Sequence, residues 1–197
     1  MNRRDIVLAG HTANHILARE ALVSSQPDFR VVALAALERL HELTDRDIST
    51  ALRDPEPAVR RRAAELAARH PNVGLVVALA DSDASVAEMV AWACGEHESP
   101  DTVPELCRLA INHPDALVRE AAVAALGAIG DPAGLATILA ATTDKPAVRR
   151  RAFIALTPFN GPEIEAALAR AHADKDWQVR MIAADLAAAY AVNSDPS

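Results

Sequence analysis

The sequence predicts an all-α chain built as a stack of helical hairpins, and three observations carry that expectation. The 197 residues include 44 alanines, while aromatic residues make up only 3%. Alanine in place of large β-branched and aromatic side chains favours closely packed helices and disfavours a sheet. Apolar positions recur at the i, i+4, i+7/8 spacing of one helix face. That pattern itself returns six times at intervals of roughly 30 residues, the mark of a repeat array.

The repeats align on one valine: PDFRVVALAAL around Val31, EPAVRRRAAEL around Val59, DASVAEMVAWA around Val86, DALVREAAVAAL around Val118, KPAVRRRAFIAL around Val148 and DWQVRMIAADL around Val179. The valines are 28, 27, 32, 30 and 31 residues apart. Arginine follows four of them (Arg60, Arg119, Arg149, Arg180), and a small residue stands four places on at Ala35, Ala63, Ala122, Ala152 and Ala183, with Val90 the exception. Leucines close most units at Leu66, Leu126, Leu156 and Leu186.

Each of these helices follows Asp and Pro punctuation, as in Asp54-Pro55-Glu56-Pro57 and His113-Pro114-Asp115. The Asp is placed to cap the helix or to act as a first-turn acid. A shorter apolar run comes before, as at Leu75–Ala80, Leu106–Ile111 and Leu135–Ala141, so the unit is helix, turn, helix. Gly127, Gly130 and Pro132 end one unit and begin the next. A single pair cannot bury its apolar face alone, so the pairs must stack as a solenoid.

Charge limits the partners. Lys plus Arg number 20 against 27 Asp plus Glu, a formal net charge of −7, which speaks against a nucleic-acid-coating protein. The basic start MNRRDIVLAGHTANHILARE has its apolar run broken by Gly10, His11, Asn14 and His15, unlike a signal peptide. No run approaches the roughly 18–20 apolar residues needed to span a bilayer. Cys94 and Cys107 form neither a metal pair nor a disulfide framework, and the expectation is a reduced, cytoplasmic protein.

Asp115–Pro132, DALVREAAVAALGAIGDP, resembles a short HEAT-like repeat of the type named after phycobilisome lyases. About Asp5 to Ala191 can be read as six such units, giving a right-handed α-solenoid of about six HEAT-like helical hairpins. The expected organisation is one repeat domain over 1–192 and a short polar tail over 193–197, frayed. The resemblance implies a structural role for Arg60, Arg119, Arg149 and Arg180, pairing with acidic or carbonyl groups of neighbouring repeats. It implies no single function, because such folds include scaffolds, lyases, hydroxylases and DNA glycosylases.

In such solenoids the second helices line the concave groove. Counting from the valine at about 100° per residue, positions +2 and +6 point away from the buried stripe. Position +2 reads Ala33, Arg61, Glu88, Glu120, Arg150 and Met181, and position +6 reads Leu37, Glu65, Trp92, Ala124, Ile154 and Asp185. The groove is therefore mixed in charge with one large aromatic. Trp92 is the expected anchor unless it is buried between repeats, and Arg61 and Arg150 could hold acidic side chains of a peptide. Helical geometry splays the runs Arg60–Arg62 and Arg149–Arg151, so neither forms one phosphate clamp.

Three chemical readings are weaker. His11 and His15 stand one turn apart on the first expected helix, but Thr12 occupies the position where a zinc-protease motif needs Glu. His41-Glu42 and His97-Glu98 are similar to the His-Glu pairs of the HEAT-like deoxyhypusine hydroxylase, yet fall near helix ends rather than at the start of inner helices. Gly95–Ser99 is expected to lengthen a loop between repeats. Trp92 and Glu96, with Trp177 three repeats on, loosely resemble the groove of HEAT-like alkylpurine DNA glycosylases, against which stand Glu for Asp and the acids Glu65, Glu88, Glu120 and Asp185.

No metal site and no cofactor are expected. The function expected is a protein- or peptide-binding scaffold without catalysis, through Trp92, Arg61, Glu65, Glu88, Glu96, Glu120 and Arg150. The alternative is a HEAT-like enzyme, DNA-glycosylase-like or lyase-like, in the same groove. A third reading has the end units (Leu37, Leu40 or Met181, Ile182, Tyr190) mediating self-association.

Overall fold

In the computed structural model, which describes residues 2–12 and 14–193, the described residues form helices and turns with no strand. The chain divides into two compact units, Met1–Ala93 and Cys94–Ser197. The first contains α1 (Arg3–Ala9), α2 (His15–Leu22), α3 (Pro27–Arg39), α4 (Asp45–Ala51), α5 (Pro57–Ala67), a 3-10 segment at Val76–Ala80 and most of α6 (Ala84–His97). The second contains α7 (Val103–Asn112), α8 (Ala116–Ile129), α9 (Leu135–Ala141), α10 (Pro146–Ala155), α11 (Pro162–Ala171) and α12 (Trp177–Asn193). Helix α12 runs through Asn193. The remainder of the expected tail and the Tyr190 side chain lie outside the described residues.

Helix starts follow local chemistry. Proline stands in the first turn of α3, α5, α10 and α11, where its missing N–H costs no intrahelical bond. Asn2 with Asp5 and Thr44 with Asp47 make reciprocal capping boxes on α1 and α4. Asp115 Oδ1 accepts from the Leu117 N–H at 2.9 Å to cap α8, which Gly130 ends in the left-handed region at φ 67°.

The second helices are sealed by small side chains. Ala33, Ala63, Val90, Ala122, Ala152 and Ala183 are all fully buried at the same phase of their repeats. Such residues let helix backbones approach: a Cβ added at Gly127 would stand 2.6 Å from Ala155 Cα, so α8 and α10 touch there without a side chain between. Larger residues fill what remains, with Leu34, Ile48 and Leu79 buried in the first unit and Leu106, Leu126, Ile138, Leu156 and Ile164 in the second. Each contributes roughly 1.5–3 kcal/mol of transfer free energy.

A ladder of arginines ties neighbouring turns within each unit. Arg30 Nε and Nη2 donate to Asp54 at 2.7 and 2.6 Å, and Arg60 does the same to Asp81 at 2.6 and 2.9 Å. Arg119 Nε and Nη2 donate to Asp144 at 2.7 and 2.8 Å. Arg149 Nη2 donates to Asp174 at 3.0 Å, while its Nε lies 2.9 Å from the same carboxylate but is angled away from donation. Each guanidinium also satisfies carbonyls of its own turn, such as Ser24, Asp54, His113 and Asp144. Arg180 keeps the carbonyl contact, to Asp174 O at 2.7 Å.

The ladder corrects the register of the first repeat. Arg30 is its rung, so the residue equivalent to Val59 is Phe29, not Val31. The expected groove residues Ala33 and Leu37 are therefore core positions, both fully buried. Burial also removes Leu37 from any self-association surface. In the third repeat Ala87 stands where the rung arginine should be, and His113 occupies the following position of the aspartate.

Candidate functional site

The corrected register places Val31 and Ala35 at the outward positions of the first repeat, matching Arg61 and Glu65 of the second. These four residues line one open groove of about 480 Å³ in the first unit, between α1, α3 and α5. Arg3 and Val7 of α1 join them, with Arg39 at the end of α3 and Arg62 beside Arg61. Val7 is 38% exposed and Val31 half-buried, giving the groove an apolar floor. Arg62 Nη1 donates to Glu65 at 2.7 Å. Arg3, Arg39 and Arg61 are exposed, with no ion pair or hydrogen bond among the described residues.

Gly10 shapes this groove. It is buried where α1 ends against α3, and an added Cβ would stand 2.8 Å from Arg39 Nη1 and 3.0 Å from Ala36 Cα. The missing side chain is what lets the Arg39 guanidinium lie along the end of α1. Sequence periodicity missed Arg3 and Arg39, because α1 precedes the first aligned repeat and Arg39 falls beyond its +6 position.

The other expected site residues divide by unit and by occupation. Trp92 and Glu88 lie one turn apart on α6 in the first unit. Trp92 is 43% exposed, so it is not enclosed between repeats, and Glu88 is half-buried with no ion pair among the described residues. Glu96, also on α6 but in the second unit, is exposed. Glu120 and Arg150 of the second unit have partners within it: Arg151 stands 3.6 Å from Glu120, and Arg150 donates to Asp176 at 2.6 Å. Arg61 and Arg150 share a phase, yet Arg61 is free and Arg150 is held. Ile154 and Met181, at the outward positions of later repeats, are 45% and 48% exposed.

The histidine readings change with the helix ends. His11 lies in the turn after α1 and His15 opens α2, so they do not share a helix face. His41 and Glu98 take left-handed backbone at φ 58° and 49°, closing α3 and α6. Gly95–His97 belong to α6, so the extra residues lengthen a helix and not a loop; Gly95 there faces Ala125, whose Cα would be 3.1 Å from an added Cβ. No group of three metal-ligating side chains gathers among the described residues. Cys94 is buried, and desolvation pushes its thiol up to about 12.

One ionic cluster was not foreseen. His70, at the end of the second repeat, has Nδ1 2.9 Å from Asp45 Oδ1 and Nε2 3.0 Å from Glu38 Oε2. Arg69 Nη1 approaches the other Glu38 oxygen at 3.5 Å. Burial disfavours the charged ring, but hydrogen bonds and charge from Glu38 and Asp45 outweigh it, so the His70 pKa is raised.

The pairing of short helices through an arginine ladder defines a class, the helical-repeat proteins. Residues 71–156 match the family model for HEAT repeats, and the described helices share that HEAT-like repeat architecture. No curated protein matches. Among solved structures, an engineered protein resembles it with TM-score 0.66 and 19% identity over 86% of this chain and 93% of that one, a likeness of fold. No helix among the described residues is long and apolar enough to cross a membrane.

Proposed function

We propose that the protein is a cytoplasmic scaffold that binds a polypeptide partner along the outward faces of its second helices, without catalysis. One observation carries this reading: the ladder takes up Arg30, Arg60, Arg119 and Arg149, whereas at outward positions of the second helices Trp92, Glu88 and Arg61 are left with no ion pair or hydrogen bond among the described residues. Trp92 is the clearest of them. An indole 43% exposed on a helix face gains by burial against a partner, and tryptophan is enriched among residues that dominate binding energy. Glu88 one turn earlier and Arg61 at the equivalent phase of α5 supply unpaired charge for matching a partner. Within the first unit Glu65 already holds an intramolecular contact and frames the face; in the second unit Glu120 and Arg150 are likewise engaged, and Glu96 is exposed there.

The test compares capture by the wild type and by Trp92→Ala from nuclease-treated lysate of the source organism, with bound species identified by mass spectrometry. The expected result is a polypeptide held by the wild type and lost by Trp92→Ala. Nucleic acid or a small molecule as the sole bound species, or capture indifferent to Trp92→Ala, overturns the reading.

A further inference from the structure

We propose that the groove between α1, α3 and α5 is a binding site for an acidic polypeptide segment, whose carboxylates pair with Arg3, Arg39 and Arg61 while an apolar side chain rests on Val7 and Val31. The inference rests on the scaffold reading above and names the chemistry of its ligand.

The charge at this groove runs against the rest of the chain. Acidic residues outnumber basic ones 27 to 20 overall, yet four arginines face one glutamate here. Five guanidinium groups elsewhere are spent on aspartates, those of Arg30, Arg60, Arg119, Arg149 and Arg150. Among the described residues of the groove Glu65 engages Arg62 alone, at 2.7 Å, and three guanidiniums have no polar partner, leaving their donors for a ligand. A planar guanidinium presents paired N–H groups that match a carboxylate bidentately. The bare backbone at Gly10 leaves room for the Arg39 guanidinium against the end of α1, beside the groove.

The floor selects among anions. Val7, Val31 and Ala35 offer apolar contact, which a chain alternating acidic and apolar side chains can use and a phosphodiester backbone cannot. Glu65 at the rim and the net charge of −7 also disfavour a densely charged polyphosphate. An extended or helical segment with carboxylates flanking a leucine or valine meets both requirements.

The experiment uses the full chain and fluorescence anisotropy with three probes: a labelled peptide in which glutamates flank leucines, the same peptide with glutamines in place of the glutamates, and a labelled oligothymidylate. The acidic peptide should bind, weaken about ten-fold in Arg61→Glu and in Arg39→Gln separately, and weaken again as salt rises, since exposed pairs are screened over about 10 Å at 0.1 M. Both arginines are exposed and unpaired, so circular dichroism should show both variants folded. Equal binding of the glutamine peptide, tighter binding of oligothymidylate, or indifference to both substitutions overturns the proposal. The two readings separate in the capture assay. Partner capture lost in Trp92→Ala but unaltered in Arg61→Glu removes the arginine groove and leaves the scaffold, whereas capture indifferent to both removes the scaffold as well.

Discussion

Replacing Arg119 by Met tests whether the ladder holds the repeats together. The side chain is 9% exposed and makes four donations, two to Asp144 at 2.7 and 2.8 Å and two to the carbonyls of His113 and Pro114 at 2.8 and 3.1 Å. Methionine preserves much of the aliphatic stem but leaves the Asp144 carboxylate without its cation. Breaking a buried pair from one side costs about 3–5 kcal/mol. The Asp144 side chain is 21% exposed, so water recovers part of that and the lower end, about 3 kcal/mol, applies. With an m-value of about 2 kcal/mol/M, the urea midpoint followed by circular dichroism should fall by about 1.5 M.

The effect should also depend on acid. The hydrogen bond from Arg119 holds the Asp144 carboxyl below the usual range, against the opposing effect of burial. A depressed carboxyl contributes stability that is complete above its unfolded value, about 3.9, and is lost as pH falls below it. The difference between wild type and Arg119→Met should therefore shrink on going from pH 7 to about pH 3. Arg61→Met is the control, because its guanidinium makes no ion pair or hydrogen bond among the described residues, and it should cost less than about 0.5 kcal/mol. If Arg119→Met and Arg61→Met unfold at the same midpoint, the ladder does not hold the turns.

Two further outcomes follow from other contacts. The raised pKa of His70 means that its contribution is fully present below the unfolded value, about 6.5, and is lost as pH rises through the folded one, so wild type should lose more thermal stability than His70→Gln between about pH 5.5 and 8.5. Parallel melting-temperature profiles for the two proteins would show that Glu38 and Asp45 do not favour the charged ring. Gly127→Ala places a methyl 2.6 Å from Ala155 Cα, and the forced separation of α8 and α10 should cost about 1–3 kcal/mol, lessened by the better helix propensity of alanine. A melting temperature at or above wild type would mean that the helices part freely.

The repeat was legible because its strongest signals are local and recur: the Pro or Asp at each turn, the small residue four places after the anchor, and the arginine beside it. The same local signals shift the first repeat by two residues. Phe29 replaces the expected valine, and Val31 nearby offered a false match; the shared Pro27-x-x-Arg30, Pro57-x-x-Arg60 and Pro146-x-x-Arg149 spacing would have set the register. The ladder acids Asp81, Asp144 and Asp174 lie 21 to 25 residues from their arginines, and nothing local marks them as partners. The arginine groove was half visible, through Arg61 and Glu65. Its other half depends on α1 folding across α3 at Gly10, a tertiary contact that no helical period encodes. Helix phase likewise placed Trp92 outward, but it could not distinguish a free Arg61 from an Arg150 held by Asp176.

The rungs act as a ruler with one fixed end and one elastic stretch. From arginine to aspartate the chain passes through 24, 21, 25 and 25 residues, yet Arg30, Arg60 and Arg119 all close on their aspartates at 2.6–2.9 Å. The slack is absorbed around the first helix of each pair, which shrinks to the five-residue 3-10 segment at Val76–Ala80 or grows to the seven residues of α4 and α9 and the ten of α11. Length can thus drift on that side while the second helices keep their phase. A pair bounded by two rungs behaves as a cassette, so its outward residues can be rewritten for a new ligand without resetting the joints on either side.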